Sequence, residues 1–377
     1  MKPITIASND SVRVWLAALL SGVEPSAVLD EAVLLDTAQT EGVLALCHDR
    51  LRRLPIWRQC PETLRTALTQ HTYQKVAAEM LRVAELKGIL AALAQAGLSV
   101  LLLKGAALAY TLYPEPHLRD RCDTDLLLPS RDEAEHAWRV LQALGYRQPN
   151  AVSGDLIVYQ LNVYKNHPSG FIHAVDVQWS LSKAALFAES FSFVELAASA
   201  VTIPVLGPHA YGLDFVHALL MACIHRVFHL SDGSGNRLIW LYDIHLLAHY
   251  LTDEQWHRWM TLAEERGACG PCLDGLLTAQ KFFGTVLPAE IQRKLQAGAN
   301  QEGWFDPHLA RQRWYLDWLS LRALPSTRAR LRWLGQYLFP DTSYMLRKYG
   351  IRHPLWLPWF YGVRIVQGMG KRIRQGH

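Results

Sequence analysis

The sequence predicts an α+β protein in which a small mixed-sheet core is embedded in helical N- and C-terminal regions. Three observations carry this reading. Residues 99–129, SVLLLKGAALAYTLYPEPHLRDRCDTDLLLP, contain two short apolar runs, 100–103 and 126–128, separated by an alanine-rich helical turn and a Pro-Glu-Pro break. Two further segments rich in β-branched and aromatic residues, LIVYQLNVY (156–164) and FIHAVDVQW (171–179), flank a turn at 166–170 and form a hairpin. Most of the remaining chain carries apolar residues at helical spacing.

Taken in order, residues 11–57 give three short amphipathic segments, VRVWLAALLSG, SAVLDEAVLLDTAQ and EGVLALCHDRLRR, divided by Gly22 with Pro25 and by Glu41-Gly42. Pro61-Glu62 then opens a long helix that runs to Gln95. After the second apolar run, residues 130–144 have the marks of a helix: Ser130 to cap, Asp132 and Glu133 in the first turn, and Gly145 to end it. From Leu181 onward the chain reads as all-helical, with DFVHALLMACIHRVFHL (214–230) and RLIWLYDIHLLAHY (237–250) as two apolar helices joined by a polar loop. These divisions suggest four regions: 1–71, helical; 72–181, the mixed-sheet core; 182–300, helical; and 301–377, basic and Trp-rich.

Half of the 377 residues are hydrophobic, which supports a substantial core rather than disorder. The most apolar uncharged stretch, 88–103, is shorter than a bilayer crossing needs and is broken by Gly97. MKPITIASNDSVRVW places polar residues where the apolar part of a signal peptide would lie, so a cytoplasmic location is expected. The net charge of +4 hides an asymmetry. Residues 301–377 carry 13 Lys and Arg against 4 Asp and Glu, a local +9, interleaved with Trp314, Trp318, Trp333, Trp356 and Trp359. Such a tail suits an anionic partner or a membrane surface, although the simplest expectation is that rings and side-chain stems pack on the helical region.

Six cysteines without regular spacing fit reduced thiols. Cys269-Gly270-Pro271-Cys272 matches a redox tetrapeptide, but its flanks read as helix, turn, helix rather than strand-to-helix. The expectation is an inter-helix turn whose cysteines pack as small apolar residues. His217, His225 and His229 lie along one apolar helix, yet no H-E-x-x-H is present, and structural roles are expected for them rather than zinc binding.

The chemistry concentrates around residues 104–125. The first apolar strand ends on Lys104-Gly105, where a helix begins and bare backbone N–H groups can face an anion. Asp123 and Asp125 open the second strand and point to the same face. Two like charges there repel unless a cation is bound, and hard divalent cations such as Mg²⁺ take carboxylates together with substrate phosphates. In the hairpin, Asp176 stands alone between Val175 and Val177, a costly place for a charge without a partner or metal. His173, three residues earlier, faces the other way and is expected to be structural.

The order strand, Lys-Gly, short helix, second strand with Asp-x-Asp resembles the polymerase-β-like nucleotidyltransferase superfamily. More narrowly, LKGAALAYTLYP followed by R-x-x-x-D-T-D-L-L-L is similar to an uncharacterised bacterial nucleotidyltransferase family whose members carry a Lys-Gly and an Arg four residues before the acidic pair. The similarity is strongest over residues 86–181 and continues more loosely into the helical part. It implies that Lys104, Gly105, Ala106 and Arg119 bind a nucleotide, that Asp123 and Asp125 hold one or two Mg²⁺ ions, and that Asp176 serves as acceptor-side base or as a ligand of the second metal. It also implies that His225 and Asp243 form a pair that ties the helical region together or borders the cleft. The usual Gly-Ser or Gly-Gly turn is here Gly105-Ala106, without the hydroxyl. The implied activity is Mg²⁺-dependent transfer of a nucleoside monophosphate from an NTP, with ATP the expected donor, to an acceptor hydroxyl or phosphate on a small molecule, an RNA end or a protein. The alternative is a nucleotide-binding or scaffold protein of the same fold that has lost turnover. The three retained acids argue against it.

Overall fold

The computed structural model describes residues 9–24, 30–148, 158–181, 185–188, 190–351 and 353–374. Its centre is a six-stranded mixed sheet, so the chain has the expected α+β class with a helical surround. The strands are β1 (Leu101–Leu103), β2 (Asp123–Leu127), β3 (Gln160–Asn166), β4 (Ile172–Gln178), β5 (Val201–Thr202) and β6 (Tyr211–Gly212), in the spatial order β3-β4-β2-β1-β6-β5. β1 pairs antiparallel with β2 and parallel with β6, β2 pairs parallel with β4, and the outer pairs β3–β4 and β5–β6 are antiparallel. The 156–164 expectation begins outside the described residues, and the described strand starts at Gln160.

β5 and β6 correct the reading of the chain beyond Leu181 as all-helical. With two residues each they are too short to show a period of two, and they exist because β6 docks on the edge of β1. Gly212 permits that approach, since a Cβ there would meet the Ala107 Cβ at 3.0 Å and Ile203 Cδ1 at 3.3 Å.

Strand alternation divides the core into two layers. Leu102, Leu126, Val175 and Val177 pack against Leu86, Ile89, Leu90 and Leu93 of the long helix Glu62–Gln95 and against the helix Arg131–Ala143. The long helix runs unbroken through residues 71 and 72. Leu101, Leu103 and Leu127 face the opposite way, into a larger cluster with Val216 and Leu219 of the helix Phe215–Phe228 and with Leu241 and Ile244 of the helix Leu238–Tyr250. Asp123 and Asp125 share the pleat of Leu127, so the sheet presents them to the helical side.

A buried polar tie joins the two halves. Arg119, in the loop before β2, donates Nε to Asp243 Oδ1 at 2.9 Å and Nη2 to Oδ2 at 2.6 Å, across 124 residues of chain. Tyr113 donates its hydroxyl to Asp243 Oδ1 at 2.7 Å. Burial works against the Arg119 charge, and the carboxylate of Asp243 outweighs it, holding the guanidinium ionised.

Cys269 and Cys272 pack as the sequence suggests, but not in an inter-helix turn: the helix Cys269–Phe283 begins at Cys269, and Gly270-Pro271 form its first turn, where proline costs no hydrogen bond. Both thiols are fully buried and unbonded to one another. Burial, with Glu302 adding to it, pushes the Cys269 thiol well above its ordinary value, so the reactive thiolate is suppressed. In the tail the packing expectation fails for most of the rings. Trp333 is buried, whereas Trp314, Trp318, Trp356 and Trp359 are 44–67% exposed.

The Arg119–Asp243 tie gives a stability prediction. Asp243→Asn leaves the buried guanidinium without its carboxylate and is expected to cost about 3–5 kcal/mol, while Tyr113→Phe removes one hydrogen bond and costs about 1–3 kcal/mol. Denaturant unfolding measures both. An Asp243→Asn protein as stable as the parent would show that the pair does not hold the two halves together.

Candidate active site

The site grows from the junction of β1 with the helix Lys104–Thr111. Leu103 provides no side-chain cap, so the first-turn amides of this helix are left for another acceptor. Lys104 itself sits in the left-handed region (φ 50°), an unusual conformation for a residue with a Cβ that costs on the order of 1–2 kcal/mol. Its ammonium lies 2.7 Å from Asp125 Oδ1. Burial works to lower the pKa of Lys104. Asp125 outweighs it, with Asp123 and Asp176 adding to the same side, and the net direction is upward. One cation therefore answers to all three acids. The repulsion expected of the acidic pair is in this way offset from within the chain.

Strand register brings the third acid alongside. On the parallel pair β2–β4, Asp125 stands directly opposite Asp176, and Asp123 opposite Ala174. Asn162, opposite Asp176 on β3, donates its amide to Asp176 Oδ1, and Gln160 donates to Oδ2 at 2.8 Å. Gln178 donates to Asp125 Oδ1 at 3.2 Å. The sequence reading missed these three orienting amides. Their signal was present in the two-residue alternation of Gln160 with Asn162 and of Asp176 with Gln178, but only the register shows which carboxylate each one serves.

Lys104, Gly105, Arg119, Asp123, Asp125 and Asp176 line one cavity of about 280 Å³. Its far wall comes from the 215–228 helix with its C-terminal cap His229 and from the 238–250 helix, and includes His225, Trp240 and Asp243. His225 and Asp243 both line the cavity, as expected of cleft-border residues; the His225 ring packs 4.6 Å from His229 and 4.9 Å from Trp240, centroid to centroid, while Asp243 is bonded to Arg119 and Tyr113. Two expected nucleotide contacts are placed differently. The Ala106 side chain is buried in the layer beneath the sheet, away from the cavity, which leaves only its backbone for a phosphate. Arg119 reaches the cavity wall, but its guanidinium is committed to Asp243 and to the Asp120 carbonyl. It also lies under the turn, 3.4 Å from where a Cβ on Gly105 would sit, so it braces the glycine.

His173 points to the opposite face, as expected. It is buried between Thr124 (3.0 Å) and Tyr146 (2.6 Å), and burial, followed by the charges of Arg82, Arg121 and Lys165, lowers its pKa to about 3, which keeps the ring neutral. His217 is likewise buried, 2.7 Å from Asp214.

The donor set suits a hard cation. Among the described residues, no three His, Cys, Asp or Glu side chains converge into a ligand set by themselves. Asp123, Asp125 and Asp176 line the cavity beside the start of a helix that has no side-chain cap. Mg²⁺ is commonly held in this way, by one or two carboxylates and the oxygens of its substrate. Asp123 and Asp125 fit that role, with Asp176 adjacent.

A comparison with curated proteins finds no match. Over residues 28–284, more than half of the chain and all of the site described above, the sequence matches the model of a family described as uncharacterised nucleotidyltransferase. The protein belongs to this uncharacterised nucleotidyltransferase family.

Proposed function

We propose that the protein transfers a nucleoside monophosphate from an NTP, with ATP the expected donor, to an acceptor hydroxyl or phosphate, and that the reaction depends on Mg²⁺. The observation that supports this reading most strongly is the shared cavity in which Asp123, Asp125 and Asp176 face Lys104 and Gly105. When bound, Mg²⁺ would supply charge neutralisation for the triphosphate and the departing pyrophosphate. Asp123 and Asp125 would hold it. Lys104 brings a cation to the phosphates: its ammonium rests on Asp125 in the structure, and a triphosphate gives it a second anionic partner. The first-turn amides at Gly105 and Ala106 bind phosphate oxygen, and Gly105, without a side chain, leaves those amides uncovered. Asp176, oriented by Asn162 and Gln160, either takes the proton of the acceptor hydroxyl or completes the metal site.

The inactive-scaffold alternative rests on Ala106. The burial of that side chain weakens it, because a hydroxyl at this position would also start from the core side of the turn.

Two mutational outcomes follow. Asp123→Asn and Asp125→Asn both abolish Mg²⁺-dependent turnover, but they differ in stability. The Asp125 variant also takes from the partly buried Lys104 ammonium its hydrogen-bonded carboxylate and melts lower, while the Asp123 variant stays close to the parent. Pyrophosphate release and thermal unfolding on the same samples read both effects. Turnover that persists in either variant would remove the acidic pair from the mechanism.

Asp176→Asn is expected to reduce transfer about 10²- to 10⁴-fold, or roughly 3 to 5 kcal/mol of barrier, while ATP affinity changes little. A destabilised Asp176 variant with normal activity per folded molecule would instead make this residue a structural charge of the sheet.

A further inference from the structure

The C-terminal segment contains a surface outside the cavity described above. From residue 342 to residue 377 there are seven Lys and Arg and no Asp or Glu. The described part folds into the helix Thr342–Lys348, a short 3-10 turn Pro354–Trp356 and the helix Leu357–Arg374. At the junction of the last two, Leu355, Trp356 and Trp359 stand in solvent at 81%, 61% and 67% exposure. Folded chains seldom leave two indoles and a leucine together in water beside a purely cationic stretch unless something covers them.

We propose that this segment is a membrane-interface anchor that lies on an anionic bilayer with Leu355, Trp356 and Trp359 entering the headgroup region, the net positive charge of the segment supplying the attraction to lipid phosphates. Three features favour lipid over other anionic partners. The charge is entirely of one sign, which matches an anionic surface. Trp is the side chain best suited to the water–bilayer boundary, where its apolar body and N–H are both satisfied. The most exposed of the three residues is Leu355, and an aliphatic side chain gains nothing from a phosphate backbone or a stacked base, whereas it gains from acyl chains. No helix of the described residues is long and apolar enough to cross a membrane, so the contact is with one surface only.

The experiment is vesicle co-sedimentation of the full chain with phosphatidylcholine alone and with phosphatidylcholine containing phosphatidylserine, at low and raised salt, with single-stranded RNA as the competing partner. The expected result is binding at least about tenfold tighter to the serine-containing vesicles, a blue shift of Trp emission, and weakening with salt as the Debye length contracts. Trp356→Ser with Trp359→Ser should lose about tenfold in vesicle binding, and Lys371→Gln with Arg372→Gln and Arg374→Gln should lose the preference for anionic lipid. Both should keep the parent melting temperature and nucleotide turnover. The proposal is overturned by equal binding to both vesicle types, by undiminished binding of the Trp variant, or by RNA binding that outcompetes the vesicles.

Discussion

The buried ion pair between Arg119 and Asp243 is the constraint on which the site depends. It fixes the loop that leads into β2 against a helix 124 residues further along the chain, and both partners lie at the wall of the same cavity. A paired charge in the interior adds little net stability compared with well-packed apolar residues, but removing one partner is expensive. The tie therefore works chiefly as a register device. With Tyr113 as a third member, it holds the helical half of the molecule over the strand ends at a set position, which makes the space between them a cleft rather than a hinge. It also lies against Gly105, so the Lys104-Gly105 turn and the wall of the cleft meet at one guanidinium.

Above that tie, the site is organised around a surplus of negative charge. Three carboxylates share one face because β2 contributes every second residue and β4 runs parallel beside it with Asp176 opposite Asp125. The chain meets this surplus with Lys104, held in a left-handed conformation so that its side chain turns back over β2. The resident ammonium offsets part of the repulsion among the acids. It is also a charge that a polyphosphate can attract, and the neutral amides of Gln160, Asn162 and Gln178 orient the carboxylates without competing for them.

Much of this was legible in the sequence. The central strands, the caps of the 131–143 helix, the long 62–95 helix and the pairing of two apolar helices after residue 214 all follow from local patterns of period and punctuation, which need no knowledge of the tertiary structure. The acids were legible because charges inside apolar strands are costly and so stand out. What stayed hidden depends on contacts between distant parts of the chain. Arg119 reads as a cation placed near an acidic pair, and only the fold reveals that Asp243 claims it. Ala106 reads as a member of a phosphate turn, and only burial shows its side chain turned to the core. The two-residue strands β5 and β6 carry no periodic signal at all, and the Trp residues of the tail give the same sequence pattern whether they pack inward or face solvent.

In the function proposed above, the three acids, Lys104 and the Gly105 turn form one nucleotide site. A crystal structure of the protein with Mn²⁺ in place of Mg²⁺ and a non-hydrolysable ATP analogue tests it most directly. The expected result is anomalous density for the metal within coordination distance of Asp123 and Asp125, phosphate oxygens at the first-turn amides of the 104–111 helix, and the Lys104 ammonium moved from Asp125 to the phosphates. A nucleotide bound elsewhere, or a metal held without Asp123 and Asp125, would contradict it.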